Sequence, residues 1–421
     1  MTRLLLAMIM LLCWPTQPLH ARDAAQAVPE DRQILVLLRS TPARYRADTQ
    51  YGGGDYGEAA RRAALIRRAR RIARAHEVEY LDVWPMPILQ LDCLILAAPD
   101  ADSVQALADA IARDDDVEWA QPVRLYRTLQ GAKPYNDTLY DDLPYNDPLF
   151  PVAPAARQWK LAELHRIATG KGVSIAVIDT GIDVGHPDLA GQVSTQRDFA
   201  PTHAAQAERH GTEVAGVIAA KANNRIGMVG VSPGARLLAL RACWQSGAAR
   251  GAVCDSLSLA KALHFAIERD VQVINMSLSG PPDRLLGALI DRGLARRMSI
   301  VASVDPAAAN GGFPASHTGV IAVADAASGG VPAGAMRAPG SDIPTTRPEG
   351  KWHLVTGSSF AAAHVAGLVA LMREQRKRGT PGARPLKPTT GQDALIDPRA
   401  SLIRTDARCS SDCAASRRRQ R

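Results

Sequence analysis

The stretch Gly357-Ser358-Ser359-Phe360-Ala361-Ala362-Ala363-His364-Val365-Ala366-Gly367 reads as a buried helix with a hydroxyl pair at its N-terminal end. Ser359 there lies beside free backbone N–H groups and the positive end of the helix dipole, so negative charge developing next to it meets donors. A serine in this position still needs a base. Two upstream stretches supply the partners: Val173-Ser174-Ile175-Ala176-Val177-Ile178-Asp179-Thr180-Gly181, an apolar strand ending in a carboxylate, and His210-Gly211-Thr212-Glu213-Val214-Ala215-Gly216, a histidine opening a second helix. In such a set the histidine takes the serine proton and returns it to the leaving amine, while the aspartate orients and stabilises the imidazole. The chain order is Asp179, His210, Ser359. Each residue alone has an ordinary reading as a turn, a helix start or a cap, and only their joint occurrence points to catalysis.

Asp-Thr-Gly also occurs in aspartic proteases, which need two such carboxylates face to face. One copy is present here. A Gly-x-Ser-x-Gly elbow, the mark of another serine hydrolase class, does not fit Gly357-Ser358-Ser359-Phe360-Ala361. The three motifs, in this order, resemble those of the subtilisin-like serine proteases, over about Asn146 to Arg373. Ser358 stands where that family has Thr, and Ala363 where it has Pro.

The resemblance implies an endopeptidase with protein or peptide substrates. It places substrate pairing and the border of the first specificity pocket on Ser277, Leu278, Ser279 and Gly280. Ser279 replaces the usual Gly, and with Ser303 it narrows that pocket. The family's side-chain oxyanion donor is an Asn after the strand matching Ile300 to Val304; this chain continues Asp305-Pro306, which leaves Asp305 or Asn310 as side-chain candidates, or backbone groups alone. The rival reading, a catalytically impaired relative acting as a secreted binding protein, rests on that departure. The chemistry requires no cofactor. Structural calcium is a family habit that Asp188 and Asn224 resemble, and no metal ligand is assigned; no Cys/His cluster supports a transition metal.

The 421 residues, 46% of them hydrophobic, allow two or three domains with a large core. Arg3 and the apolar run Leu4 to Leu12, followed by Leu19-His20-Ala21, read as a secretory signal peptide, too short for a comfortable span. The pattern from Gln33 to Tyr126 is strand, helix (Glu58 to Glu77), two strands, helix (Ser103 to Arg113) and a last strand, Val117 to Tyr126. This is a ferredoxin-like unit. In this position it resembles the inhibitory propeptide of the family; the alternative is an independent accessory domain. Pro, Asn, Asp and Tyr crowd the segment from Thr128 to Pro154, where the linker and the maturation cut are expected. Beyond it, strands alternate with helices, among them one from Ser256 to Arg269 capped by Asp255 or Ser256, which predicts a mainly parallel sheet covered on both faces.

The expected organisation is therefore a signal peptide over 1–21, a propeptide over 22–127, a linker with the cut over 128–145, an α/β catalytic domain over 146–378 and a basic, disordered tail over 379–421. Of six cysteines, Cys13 falls in the signal peptide and Cys93 in the propeptide. Cys243 and Cys254 bracket a Gly/Ala/Arg loop and are expected to close it as a disulfide, while Cys409 and Cys413 form a second candidate pair. Neither nucleic-acid binding nor a membrane anchor is expected, despite 50 Lys and Arg against 42 Asp and Glu. The expectation is a secreted or periplasmic monomer held by its own propeptide until maturation.

Overall fold

The structure is a computed structural model that describes residues 28–40, 54–129, 131–133, 144–201, 203, 207–245, 251–377, 386–388 and 395–402. The expected signal peptide and the Cys409–Cys413 pair lie outside the described residues.

The N-terminal unit comprises β1 (Gln33–Arg39), α1 (Gly54–Ala75), β2 (Glu79–Met86), β3 (Leu91–Ala97), α2 (Val104–Ile111) and β4 (Val117–Pro122). Its sheet runs β2-β3-β1-β4, with β1 antiparallel to both β3 and β4, as the ferredoxin-like pattern requires. The period-2 alternation of β1 sends Ile34, Val36 and Leu38 into a small core with α1 and α2, and Leu35 and Leu37 into a core shared with the larger unit. The expected last strand is shorter than read. Pro122 has no N–H to continue the ladder, so β4 ends there. Leu125–Thr128 forms a separate strand, β5, in another sheet, and part of the expected linker, Gly131–Lys133, is strand β6.

The larger unit contains α3 (Pro154–Gln158), α4 (Leu161–His165), β7 (Ser174–Asp179), β8 (Val193–Asp198), α5 (Arg209–Ala219), β9 (Arg236–Arg241), β10 (Cys243–Gln245), β11 (Ala252–Asp255), α6 (Ser256–Glu268), β12 (Val273–Met276), β13 (Leu278–Ser279) and α7 (Arg284–Ala295). It continues with β14 (Ser299–Ser303), β15 (Ile321–Asp325), β16 (Met336–Ala338), β17 (Ile343–Arg347), β18 (Lys351–Thr356), α8 (Ser358–Lys377) and α9 (Pro398–Leu402). A parallel seven-stranded sheet, β16-β15-β14-β12-β7-β9-β8, forms its centre. Ile175 and Val177 of β7 join α5 and α8 in one core, while Ala176 and Ile178 join α6 and α7 in the other. Burial on both faces explains the nearly continuous apolar strands. The Asp255 side chain caps α6 by accepting from Ser258 N at 2.8 Å.

The basic stretch after 378 is not wholly a loose tail. Leu386 and Ile396 are buried in the main core, Leu395 bridges to Arg337, and α9 follows. Isolated apolar residues in a charged segment anchor it where the average composition suggests solvent.

Candidate active site

Strand order reverses around β7, with β12 on one side and β9 on the other, so the end of β7 opens onto a crevice in which ligands of parallel sheets bind. Asp179 is the last residue of β7 and is fully buried. Its Oδ1 accepts from Thr180 N at 2.7 Å and from His210 Nδ1 at 2.6 Å. Helix α5 can bring His210 this close because Gly211 has no side chain: a Cβ there would stand 2.4 Å from the Thr180 carbonyl oxygen. Burial by itself would depress the His210 pKa, but the Asp179 charge and hydrogen bond, with a contribution from Glu213, raise it above the ordinary imidazole value. His210 Nε2 is buried and has no hydrogen-bond partner, so that edge of the imidazole is free to take a proton.

Ser359 lies in the first turn of α8, and the ring of the next residue, Phe360, is centred 5.9 Å from the His210 ring. The Ser359 hydroxyl donates to Ser277 O at 3.1 Å and accepts from Leu129 N at 3.4 Å. Asn275 Nδ2 donates to Ser277 Oγ, which donates to Ser359 O, both at 2.9 Å, so two buried polar side chains fix the start of the helix. The structure thus brings Asp179, His210 and Ser359 to one crevice, with the serine hydroxyl turned to the Ser277 carbonyl rather than to the imidazole.

Ser277, Leu278, Ser279 and Gly280 form one wall. Leu278 pairs with Thr128 and Ser279 with Arg127, and Gly280 bridges to Phe313. β11 pairs with β5 on the other side and with β10, where Cys243 and Cys254 stand opposite each other and form the expected disulfide. Asp305 lies at the wall beside Gly312, where a Cβ would be 3.3 Å from Asp305 Cβ and 2.1 Å from Ser279 Oγ. Its carboxylate accepts from Ala307 N at 2.9 Å, and Asn310 Oδ1 accepts from Gly312 N at 3.1 Å. Both oxyanion candidates therefore serve their own loop.

Asp188 and Asn224 meet as expected, Asn224 Nδ2 donating to Asp188 Oδ1 at 2.7 Å. Asp188 Oδ2 accepts from Trp352 Nε1 at 2.7 Å and Met228 N at 3.1 Å, and Asp147 accepts from the backbone N–H groups of Asn223 and Asn224. Every carboxylate oxygen here already takes an N–H donor, so this arrangement does not fit calcium without displacing them. Among the described residues no group of three or more His, Cys, Asp or Glu side chains is placed to hold a metal ion.

Two features escaped the sequence reading. Asn275 was visible only as a polar residue within an apolar strand. Glu213 occupies the buried side of α5, where its Oε1 pairs with His353 Nε2 at 2.8 Å and with Arg209 at 3.3 Å. Burial would raise the Glu213 pKa; His353, His210 and Arg209 together hold it below the usual value.

A covered parallel sheet with an Asp–His pair and a helix-borne serine at its switch point defines the subtilisin-like architecture. The sequence pattern of the subtilase family matches residues 170–406, more than half of the chain, and the chain belongs to that family. It is 35% identical over 234 residues to subtilisin J of Geobacillus stearothermophilus, covering 51% of this chain and 59% of that protein. A thermophilic serine proteinase of Bacillus sp. (strain AK1) is 32% identical over 287 residues, covering 65% of this chain and 67% of that one. The fold is also similar to the crystal structure of fervidolysin from Fervidobacterium pennivorans, a keratinolytic enzyme related to subtilisin, with a TM-score of 0.64 at 21% identity over 88% of this chain and 60% of that chain. The chain thus spans about three-fifths of the length of subtilisin J and of fervidolysin.

Proposed function

We propose that the protein is a secreted serine endopeptidase in which Asp179, His210 and Ser359 form the catalytic triad. The observation that carries this reading is the buried Asp179–His210 hydrogen bond with Nε2 left free in the crevice that holds Ser359. Rotation of the Ser359 hydroxyl away from Ser277 O hands its proton to His210 Nε2 as Oγ adds to a peptide carbonyl. Asp179 stabilises the imidazolium, which then protonates the leaving amine. Substrate enters as an extended strand between β11 and β13, so main-chain pairing holds it and many sequences fit. The N-terminal unit serves as propeptide and inhibitor, removed by a cut between Thr128 and Pro154. No described helix is long and apolar enough to cross a membrane.

With Asp305 turned onto its own loop, backbone N–H groups carry the oxyanion, and the rate is lower by roughly 100- to 1,000-fold than with a side-chain amide, a range known from a subtilisin. The same observation favours the second reading, a binding protein that keeps the fold. Covalent labelling separates them. An organophosphonofluoridate adds to Ser359 and stops casein hydrolysis if the triad works, and His210→Ala abolishes the labelling. A folded protein that neither labels nor hydrolyses is the binding protein.

A further inference from the structure

The turn after Asp179, the helix of His210 and the hairpin that walls the crevice meet at one carboxylate. Glu208 is buried and stands at the N-terminal boundary of α5, two residues before His210, on extended backbone. Its side chain does not cap its own helix. Instead Oε2 accepts from Gly181 N at 2.7 Å and from Arg241 Nε at 2.9 Å, while Oε1 accepts from Gln245 N at 2.9 Å. Gly181 lies two residues after Asp179, and its carbonyl accepts from Glu208 N at 3.0 Å, so the turn and the start of α5 are tied in both directions. Arg241 ends β9, where it pairs with Asp179 in the parallel register. Gln245 ends β10, whose partner β11 lines the crevice.

The cation in this cluster is itself held. Arg241 NH1 donates to both oxygens of Asp198 and to Ala200 O, each at 3.0 Å. Burial alone would lower the Arg241 pKa, but Glu208 and then Asp198 raise it, so Glu208 faces a permanent positive charge. Hydrogen bonds to an ionised carboxylate are short and strong, and a buried set of them fixes directions as well as distances. The Asp179–His210 bond spans the same two segments at 2.6 Å, and Thr180 Oγ1 adds a further tie by accepting from Gly211 N at 2.9 Å. The hairpin is closed separately, by its own pairing and by the Cys243–Cys254 disulfide. Loss of Glu208 therefore leaves the hairpin formed and releases its placement relative to the imidazole.

We propose, resting on the peptidase reading above, that Glu208 is a positioning residue of the reaction: its carboxylate sets the Asp179 turn, the His210 helix and the β10–β11 wall in one frame, so that a substrate strand paired on β11 meets the base in register. Both oxygens are needed for this. Glutamine keeps the volume but offers one acceptor, and its NH2 group then faces either the Gln245 N–H or the Gly181 N–H and the Arg241 guanidinium. A donor against a donor loses one of the two ties whichever way the amide turns.

The test separates position from stability. The full chain, native, Glu208→Gln and Glu208→Ala, is assayed on one casein-derived peptide, with active sites counted by complete organophosphonofluoridate labelling. kcat per labelled site is expected to fall about tenfold in Glu208→Gln and about 100-fold in Glu208→Ala, with KM within about twofold of native, the scale on which a displaced group slows a reaction. In a Ser359→Ala background, the low-field proton resonance of His210 Nδ1–H, assigned by its absence from His210→Ala, is expected to move upfield when Glu208→Gln is added. A merely structural carboxylate would lower the labelled fraction and the resistance to urea while kcat per site and the resonance stay native, and that result overturns the proposal. Native values throughout both variants also overturn it and leave the peptidase reading intact. A native chain that neither labels nor hydrolyses overturns both.

Discussion

Two buried histidine–carboxylate pairs each have one member on helix α5 and differ in where they sit. Asp179–His210 places Nε2 in the crevice beside Ser359, whereas Glu213–His353 joins the inner side of the same helix to β18, the strand that runs into the serine. Thr345 and Thr346 of β17 clamp that inner side further, their hydroxyls donating to Glu213 O at 2.5 Å and Thr212 O at 2.7 Å. A buried His–carboxylate pair can become a reaction centre only where its imidazole opens onto a crevice that also holds a nucleophile. In the proposed mechanism the first pair moves protons; the second ties the same helix to the strand that leads into Ser359.

The largest effect expected from this contrast is at His210. His210→Ala should lower kcat by ~10⁶-fold, the size of loss known from a subtilisin, with unfolding by urea little changed. Asp179→Asn should cost ~10⁴-fold in kcat, because it offers the imidazole the wrong tautomer while leaving the packing. His353→Leu should reverse the pattern: urea denaturation should show about 3 kcal/mol less stability, since Glu213 is left buried with only Arg209, while the folded fraction keeps its kcat. If His353→Leu abolishes catalysis without loss of stability, the division between the two pairs is wrong.

The smallest effect is a shift in pH dependence. His210 must be neutral to accept a proton, and its raised pKa puts the acid limb of kcat/KM above about 6.5, the ordinary imidazole value. Activity is lost as pH falls through that limb. Glu213→Gln removes a negative charge that helps to raise the His210 pKa, so the limb should move to lower pH. The same carboxylate has a depressed pKa in the fold, so its stabilising contribution is present above its unfolded pKa and lost as pH falls through the folded one. In Glu213→Gln that part of the acid sensitivity should disappear from denaturation curves.

Much of the large unit was legible because its signals are local. Apolar runs of Val, Ile and Ala mark strands buried on both faces, and Asp179 and His210 stand at element boundaries where their motifs put them. The disulfide was legible because Cys243 and Cys254 flank a loop short enough to be a hairpin. What stayed hidden depends on contacts far apart in sequence. Nothing near Leu125 shows that it leaves the N-terminal sheet for the crevice, since that is decided by pairing with β11 and β13 more than 120 residues later. Glu213 reads as a charged helix residue until β18 brings His353 to it, and Leu386 and Ile396 read as tail until the core is seen to receive them.

The proposed mechanism makes Asp179, His210 and Ser359 a working triad in a chain that removes its own N-terminal unit. The most direct measurement is the intact mass of the folded, purified protein, native and Ser359→Ala, prepared identically. The triad predicts a native chain shortened by its N-terminal unit and a variant that remains whole. Two folded proteins of full length would contradict it, because the crevice would then hold its own strand without cutting it.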